Sequence, residues 1–161
     1  MSQAPTSEHH AVLELNRFLP YRLSVLSNRI SQDIAQFYGE RFGLAITDWR
    51  VLAVLGRYPG LSASEVAERT AMDKVAVSRA MAKLTKDGRL KRRMHGSDRR
   101  RSVLELSAKG YRIYDEVTPL ALRFERDLLA QLDPEERQWL GRILDKLDAA
   151  EIARAPYLSD E

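Results

Sequence analysis

Apolar residues Leu15, Leu19, Leu23, Leu26, Ile30, Ile34 and Phe37 recur at steps of four and three, the spacing that lays a stripe along one helix face. The pattern predicts a long first helix that Pro20 kinks or splits, because proline lacks an amide donor and clashes with the preceding turn. Phe18, Tyr21 and Val25 widen the apolar arc, so this helix is expected to pack against more than one neighbour, and Gly39 and Gly43 mark its end. Thr47 can cap a second helix carrying Trp49, Leu52 and Leu55, which Pro59 and Gly60 terminate. Ser62-Ala63-Ser64-Glu65 has the spacing of a capping box and opens a helix to about Arg69. After a turn over Thr70 to Asp73, Asp73 can cap a helix whose Val77, Ala80, Met81 and Leu84 form a buried face and which Gly88 stops. Two short helices joined by a tight turn make a helix-turn-helix.

Arg89 to Met94 and Ser102 to Leu106 read as two strands around the polar turn His95-Gly96-Ser97-Asp98, a small hairpin or wing. Ser107 can cap a fifth helix with Tyr114, Val117, Ala121, Phe124 and Leu128 on one face and a proline bend at Pro119. Asp133-Pro134-Glu135-Glu136 opens a last helix with a cap, a proline at the first position and acids facing the helix dipole; its apolar face is Leu140, Ile143, Leu144 and Leu147. The expected fold is therefore mainly α with a small β-wing, a winged helix-turn-helix flanked by further helices. Residues 1–10 and 155–161 read as tails.

Composition narrows the chemistry. The 161 residues include no cysteine, which removes disulfides, thiolate metal sites and thiol redox sensing together. No window approaches the roughly 18 apolar residues of a membrane helix, and Met1 to His10 lacks the layout of a secretory signal, so a cytoplasmic protein without membrane contacts is expected. There is no Gly-rich phosphate loop, no Gly-x-Ser-x-Gly elbow, and no histidine on an ordered element to pair with a nucleophile, so neither an enzyme nor a cofactor is expected and no residue is assigned a catalytic role. The three histidines, His9, His10 and His95, lie in the N-terminal tail and the wing, which argues against a metal site.

Charge is distributed unevenly. Met72 to Arg101 holds 11 basic and 3 acidic residues, whereas the remainder holds 15 and 20. A cationic stretch on an acidic body fits a polyanionic partner, or a solvated charged face. On the helix that begins at Lys74, the residues outside the apolar stripe are Lys74, Val75, Ser78, Arg79, Ala82, Lys83 and Lys86. An ordinary surface helix would interleave glutamates with such lysines, and only Asp87 is present. Short residues near the N-terminus permit close approach, Arg79 can donate two hydrogen bonds to guanine O6 and N7, and Lys83 and Lys86 suit phosphates, the division expected of a recognition helix in the major groove of double-stranded DNA. In the wing, Arg99, Arg100 and Arg101 crowd like charges that a narrow minor groove would accommodate. Asp98 can orient Arg100 by a charge-assisted bond, or serve only as a turn residue.

A capped helix, a helix-turn-helix and the wing Asp98-Arg99-Arg100-Arg101-Ser102-Val103-Leu104-Glu105-Leu106-Ser107-Ala108-Lys109-Gly110 together resemble the MarR family. The family's wing pattern is matched by Asp98, Arg100, Val103, Leu104, Leu106, Ser107 and Gly110, and the similarity runs from about Leu15 to Leu147. The resemblance implies an obligate homodimer in which the first helix and the last two interlock, a repressor role, DNA-contact positions at Ser78, Arg79 and Lys83, and a minor-groove position at Arg100. On that reading residues 11–45 form an N-terminal dimerisation helix, 46–107 the DNA-binding lobe and 108–154 the C-terminal dimerisation helices. Many relatives release DNA when a small aromatic or phenolic acid binds between these regions. If the helices pack as in the family, Tyr21, Arg22, Arg29, Trp49 and Arg50 fall near that junction and offer aromatic walls and cations for a carboxylate. A DNA-binding factor without an effector would share every feature of the helix and wing.

Overall fold

The computed structural model describes residues 11–94 and 102–150. Two compact units follow one another along the chain, Met1–Thr118 and Pro119–Glu161. The first contains α1 (Leu19–Phe42), α2 (Ile46–Arg57), α3 (Ala63–Thr70), α4 (Lys74–Lys86), β1 (Leu90–Met94) and β2 (Ser102–Leu106). A further helix, α5 (Ala108–Leu129), begins in this unit and continues into the second, which also holds α6 (Pro134–Asp148). Among the described residues no helix is long and apolar enough to cross a membrane.

Pro20 starts α1 instead of bending it. Residues 14–18 form a separate turn, and the proline sits in the first helical turn, where its missing N–H would have had no intrahelical partner. At the other end Gly43 adopts φ +62° and its N–H closes on the Gly39 carbonyl, a left-handed stop that suits glycine. The second helix departs from expectation at its cap. Ala45, not Thr47, occupies the N-cap, and the Asp48 carboxylate reaches back to the Ala45 N–H at 2.9 Å. Three of the later caps form as their residue types dictate, at Ser62, Asp73 and Asp133. Ser62 accepts from Glu65 N–H, Asp73 Oδ1 accepts from the Val75 and Ala76 amides, and Asp133 accepts from Glu136 N–H.

The core of the first unit is built from the buried faces these helices turn inward. Leu52, Leu55, Val66, Val77, Leu84 and Leu106 are fully buried, and burial of such a side chain contributes about 1.5 to 3 kcal/mol. The strands pair antiparallel from Leu90↔Leu106 to Met94↔Ser102, and Leu61 adds a one-residue bridge to Leu104 that ties the start of α3 to the hairpin. Ser107 joins the hairpin to α5: its hydroxyl donates to the Gly88 carbonyl at 2.7 Å and accepts from Gly110 N–H at 3.1 Å. Pro119 lies inside α5. In the second unit, α6 has no buried residue.

Candidate nucleic-acid interface

Helix α4 is two-faced. Val77, Ala80, Met81 and Leu84 are buried, while Lys74, Val75, Ser78, Arg79, Ala82, Lys83 and Lys86 are exposed. Val75 is 56% exposed, an unusual place for a β-branched apolar residue on a helix that otherwise hides its apolar side. The Asp73 cap fixes where the helix begins and satisfies two amides that would otherwise point outward. Lys74, Val75, Ser78 and Arg79 share the first turns, and among the described residues none of the four is in an ion pair.

Lys83 differs from its neighbours. Instead of extending into solvent, its ammonium donates to Asp48 Oδ2 at 2.5 Å and to the Gly43 carbonyl at 3.2 Å. A phosphate contact was expected of this residue; here its ammonium is paired with the Asp48 carboxylate while the side chain stays 45% exposed. Nothing in the 74–87 segment could reveal this, because the carboxylate lies 35 residues earlier in the chain.

The wing places Lys91 directly across from Glu105, and Arg93 diagonally across, on one face of the hairpin. Both cations lie 3.4 Å from the Glu105 carboxylate, a distance that in exposed positions contributes little stability and leaves them free to exchange partners. Asp98, Arg99, Arg100 and Arg101 lie outside the described residues.

Among the described residues of the single chain, the five residues expected to contact a small ligand line two separate cavities. Trp49 and Arg50 line a cavity of about 140 Å³ between α1 and α2, together with Ser31, Ile34, Tyr38 and Ile46. Tyr21, Arg22 and Arg29 instead line an open trough of about 420 Å³ along α1 with Leu19, Leu23, Val25 and Leu26. Sequence reasoning missed Ser31 and Tyr38, which belong to the smaller cavity because α1 turns them toward α2. Arg50 Nη2 donates to Ser31 Oγ at 3.2 Å, and among the described residues no carboxylate is within ion-pair distance of Arg50. Trp49 stacks on Tyr114 and meets Tyr38 at a tilt, with ring centroids 6.2 and 5.7 Å away. An aromatic wall with an arginine lacking an acidic partner can take a planar anion.

Burial pushes the Tyr38 phenol up to about 12; Arg50 pulls it down and Asp48 pushes it up further. The native chain therefore holds a proton that the unfolded chain releases near pH 10. The associated stability is fully present below about pH 10 and is lost as pH rises toward 12, at about 1.4 kcal/mol per pH unit. Denaturant midpoints measured from pH 8 to pH 11.5 should fall above pH 10 in the natural chain and fall less in Tyr38→Phe. Identical profiles would mean that the phenol ionises freely in the fold.

The sequence pattern of the MarR family matches residues 42–101, the segment from the end of α1 to just before β2. The HTH-type transcriptional regulator BilQ of Clostridium symbiosum is 32% identical over 93 residues, which cover 58% of this chain and 65% of that protein. The fold is similar to that of a MarR/EmrR family transcriptional regulator from Acinetobacter sp. ADP1, at TM-score 0.77 and 26% identity, covering 84% of this chain and 96% of that one. It is also similar to BpsR of Bordetella bronchiseptica, whose DNA binding is regulated by 6-hydroxynicotinic acid. There the TM-score is 0.74 at 21% identity, over 88% of this chain and the whole of that one.

Proposed function

The chain belongs to the MarR family of winged helix-turn-helix transcription regulators, and from that premise we propose that it binds a pseudo-palindromic operator as a homodimer and represses transcription there. The observation that carries this reading is the outer face of α4. Lys74, Val75, Ser78, Arg79 and Lys86 stand exposed on a helix whose other side is locked into the core, with no acid among them. Arg79 is the base-reading residue, Lys74 and Lys86 meet phosphates, and Val75 and Ser78 allow close approach to the groove floor and the thymine methyl. Arg99, Arg100 and Arg101 at the wing supply the minor-groove arm, with Arg100 entering the groove beside Asp98.

Dimerisation is supported by apolar surface that the single chain leaves uncovered. On α1, Leu19, Leu23, Leu26 and Phe37 are each more than 40% exposed, and on α6 Trp139, Ile143, Leu144 and Leu147 are as well. Patches of this kind mark association surfaces, and a two-fold dimer presents two recognition helices to two half-sites. A small aromatic acid is the effector that suits the cavity lined by Trp49, Tyr38 and Arg50. A void of roughly 150 Å³ holds one benzene ring, and the arginine supplies the carboxylate's partner.

Selection of duplexes from a random-sequence DNA library with the full chain tests this function. A recovered sequence with two-fold symmetry is expected, bound about 10³-fold or more tighter than random duplex and with affinity falling steeply with salt. Failure to enrich any sequence, with binding equal on all duplexes, would exclude a sequence-specific regulator.

A further inference from the structure

Asp48 is the most deeply buried charged residue of the described chain, and its partner comes from α4. The carboxylate is 4% exposed, and a single oxygen, Oδ2, accepts from Lys83 Nζ at 2.5 Å and from Ala45 N–H at 2.9 Å. The same ammonium also donates to the carbonyl of Gly43, the residue that stops α1. One charge pair thus joins the end of α1, the first turn of α2 and the third turn of α4. Releasing Lys83 to a phosphate would strand a buried carboxylate without its cation, which is far costlier than forgoing one contact in water.

Arg79 lies one turn before Lys83 on α4, and the two line a shallow cleft with Ala45, Thr47, Asp48, Ala76 and Ala80. Whatever fixes Lys83 therefore fixes the turn that carries Arg79. The opposite side of the same α2 turn bears Trp49 and Arg50, which line the α1–α2 cavity. We propose that Asp48 is a positioning residue for DNA recognition: it holds the Lys83 ammonium against the start of α2 and thereby sets the rotation of α4 from which Arg79 reaches a base edge. The inference rests on the DNA-binding reading above and assigns Lys83 a role different from a phosphate contact.

The two roles leave different signatures. A phosphate contact contributes equally on every sequence, and its removal flattens the salt dependence by about 0.9 per lysine. A tether contributes nothing to the salt slope and acts only where base geometry matters. Affinities of the natural full chain, Asp48→Asn, Lys83→Met and the double variant, measured on the selected duplex and on a random duplex across a salt series, separate them. Asparagine keeps an acceptor for the Ala45 amide while removing the charge that holds the lysine. Asp48→Asn should lose about tenfold on the selected duplex and less than about twofold on the random one, although it removes a negative charge from beneath the cationic face of α4. Lys83→Met should behave alike with its salt slope unchanged, and the double variant should be no worse than either single change. Tighter binding by Asp48→Asn on both duplexes, or a flattened slope with discrimination intact in Lys83→Met, would overturn the proposal.

A second measurement uses the natural chain without DNA, so it does not depend on the variants folding. Acylation by an amine-reactive reagent, read by mass spectrometry, should modify Lys83 at least about fivefold more slowly than Lys74 or Lys86, since its amine is held by two acceptors. Equal rates would also overturn the tether. A natural chain that prefers no duplex would instead bring down the DNA-binding reading, whatever the reactivity of Lys83.

Discussion

Replacing Gly110 with alanine should destabilise the chain by about 3 kcal/mol, at the upper end of the usual cost of forcing atoms into a packed interior. A Cβ at this position would lie 2.2 Å from the Arg89 carbonyl oxygen and 3.3 Å from Leu106 Cβ. The obstacle is backbone, and it cannot step aside freely, because the same Arg89 carbonyl accepts from Ser107 N–H at 3.0 Å. Moving it would open the junction where the hairpin hands over to α5. The Gly110 N–H is itself bonded to Ser107 Oγ, so serine and glycine act together: one caps the helix and the other lets the helix approach the strand. This is the physical content of the Leu106-Ser107-x-x-Gly110 spacing. Denaturant unfolding at fixed protein concentration checks it, and a loss below about 0.5 kcal/mol would show that the junction yields without cost.

Arg79→Ala should cost about 1 to 3 kcal/mol in operator binding, roughly a 5- to 150-fold loss, and relax the preference at one base pair in each half-site. The prediction follows from the placement of Arg79 on the exposed face of α4, two turns from the Asp73 cap, with no acidic partner among the described residues. Binding to a panel of duplexes carrying every single base-pair change decides it. An equal loss on all of them, random duplex included, would reduce Arg79 to a phosphate contact.

The helix-turn-helix was legible because each of its signals is local. Ser62 and Asp73 are capping residues at the required spacing, and the stripe Val77, Ala80, Met81, Leu84 repeats at the helical period, so the exposed face of α4 followed by subtraction. The same local logic misplaced the start of α2. Thr47 is a good capping residue, but Asp48 one position later can reach back three residues, and a carboxylate that also binds Lys83 outweighs a hydroxyl. Proline in the first stripe suggested a kink or a split, and the helix instead begins at that point, because a proline in the first turn sacrifices no hydrogen bond.

Contacts between distant segments were out of reach. The Lys83–Asp48 pair, the one-residue bridge from Leu61 to Leu104, and the bond from Arg89 Nη2 to the Phe42 carbonyl at 2.6 Å all join residues at least 35 positions apart. None leaves a periodic trace in the sequence. The division of the five ligand candidates between two cavities was hidden for a related reason: Tyr21, Arg22 and Arg29 share α1 with Ser31 and Tyr38, but only the latter pair lines the cavity against α2. Composition offers aromatic and cationic residue types and cannot say which turn of the helix faces a neighbour.

Hydroxyl-radical footprinting of the full chain on the selected duplex tests the central claim most directly. A dimer with two recognition helices should protect both strands in a two-fold symmetric pattern, its half-sites one helical turn or roughly 34 to 36 Å apart, with further protection where the wings cross the flanking minor grooves. A single asymmetric patch, or uniform weak protection without a centre of symmetry, would contradict it.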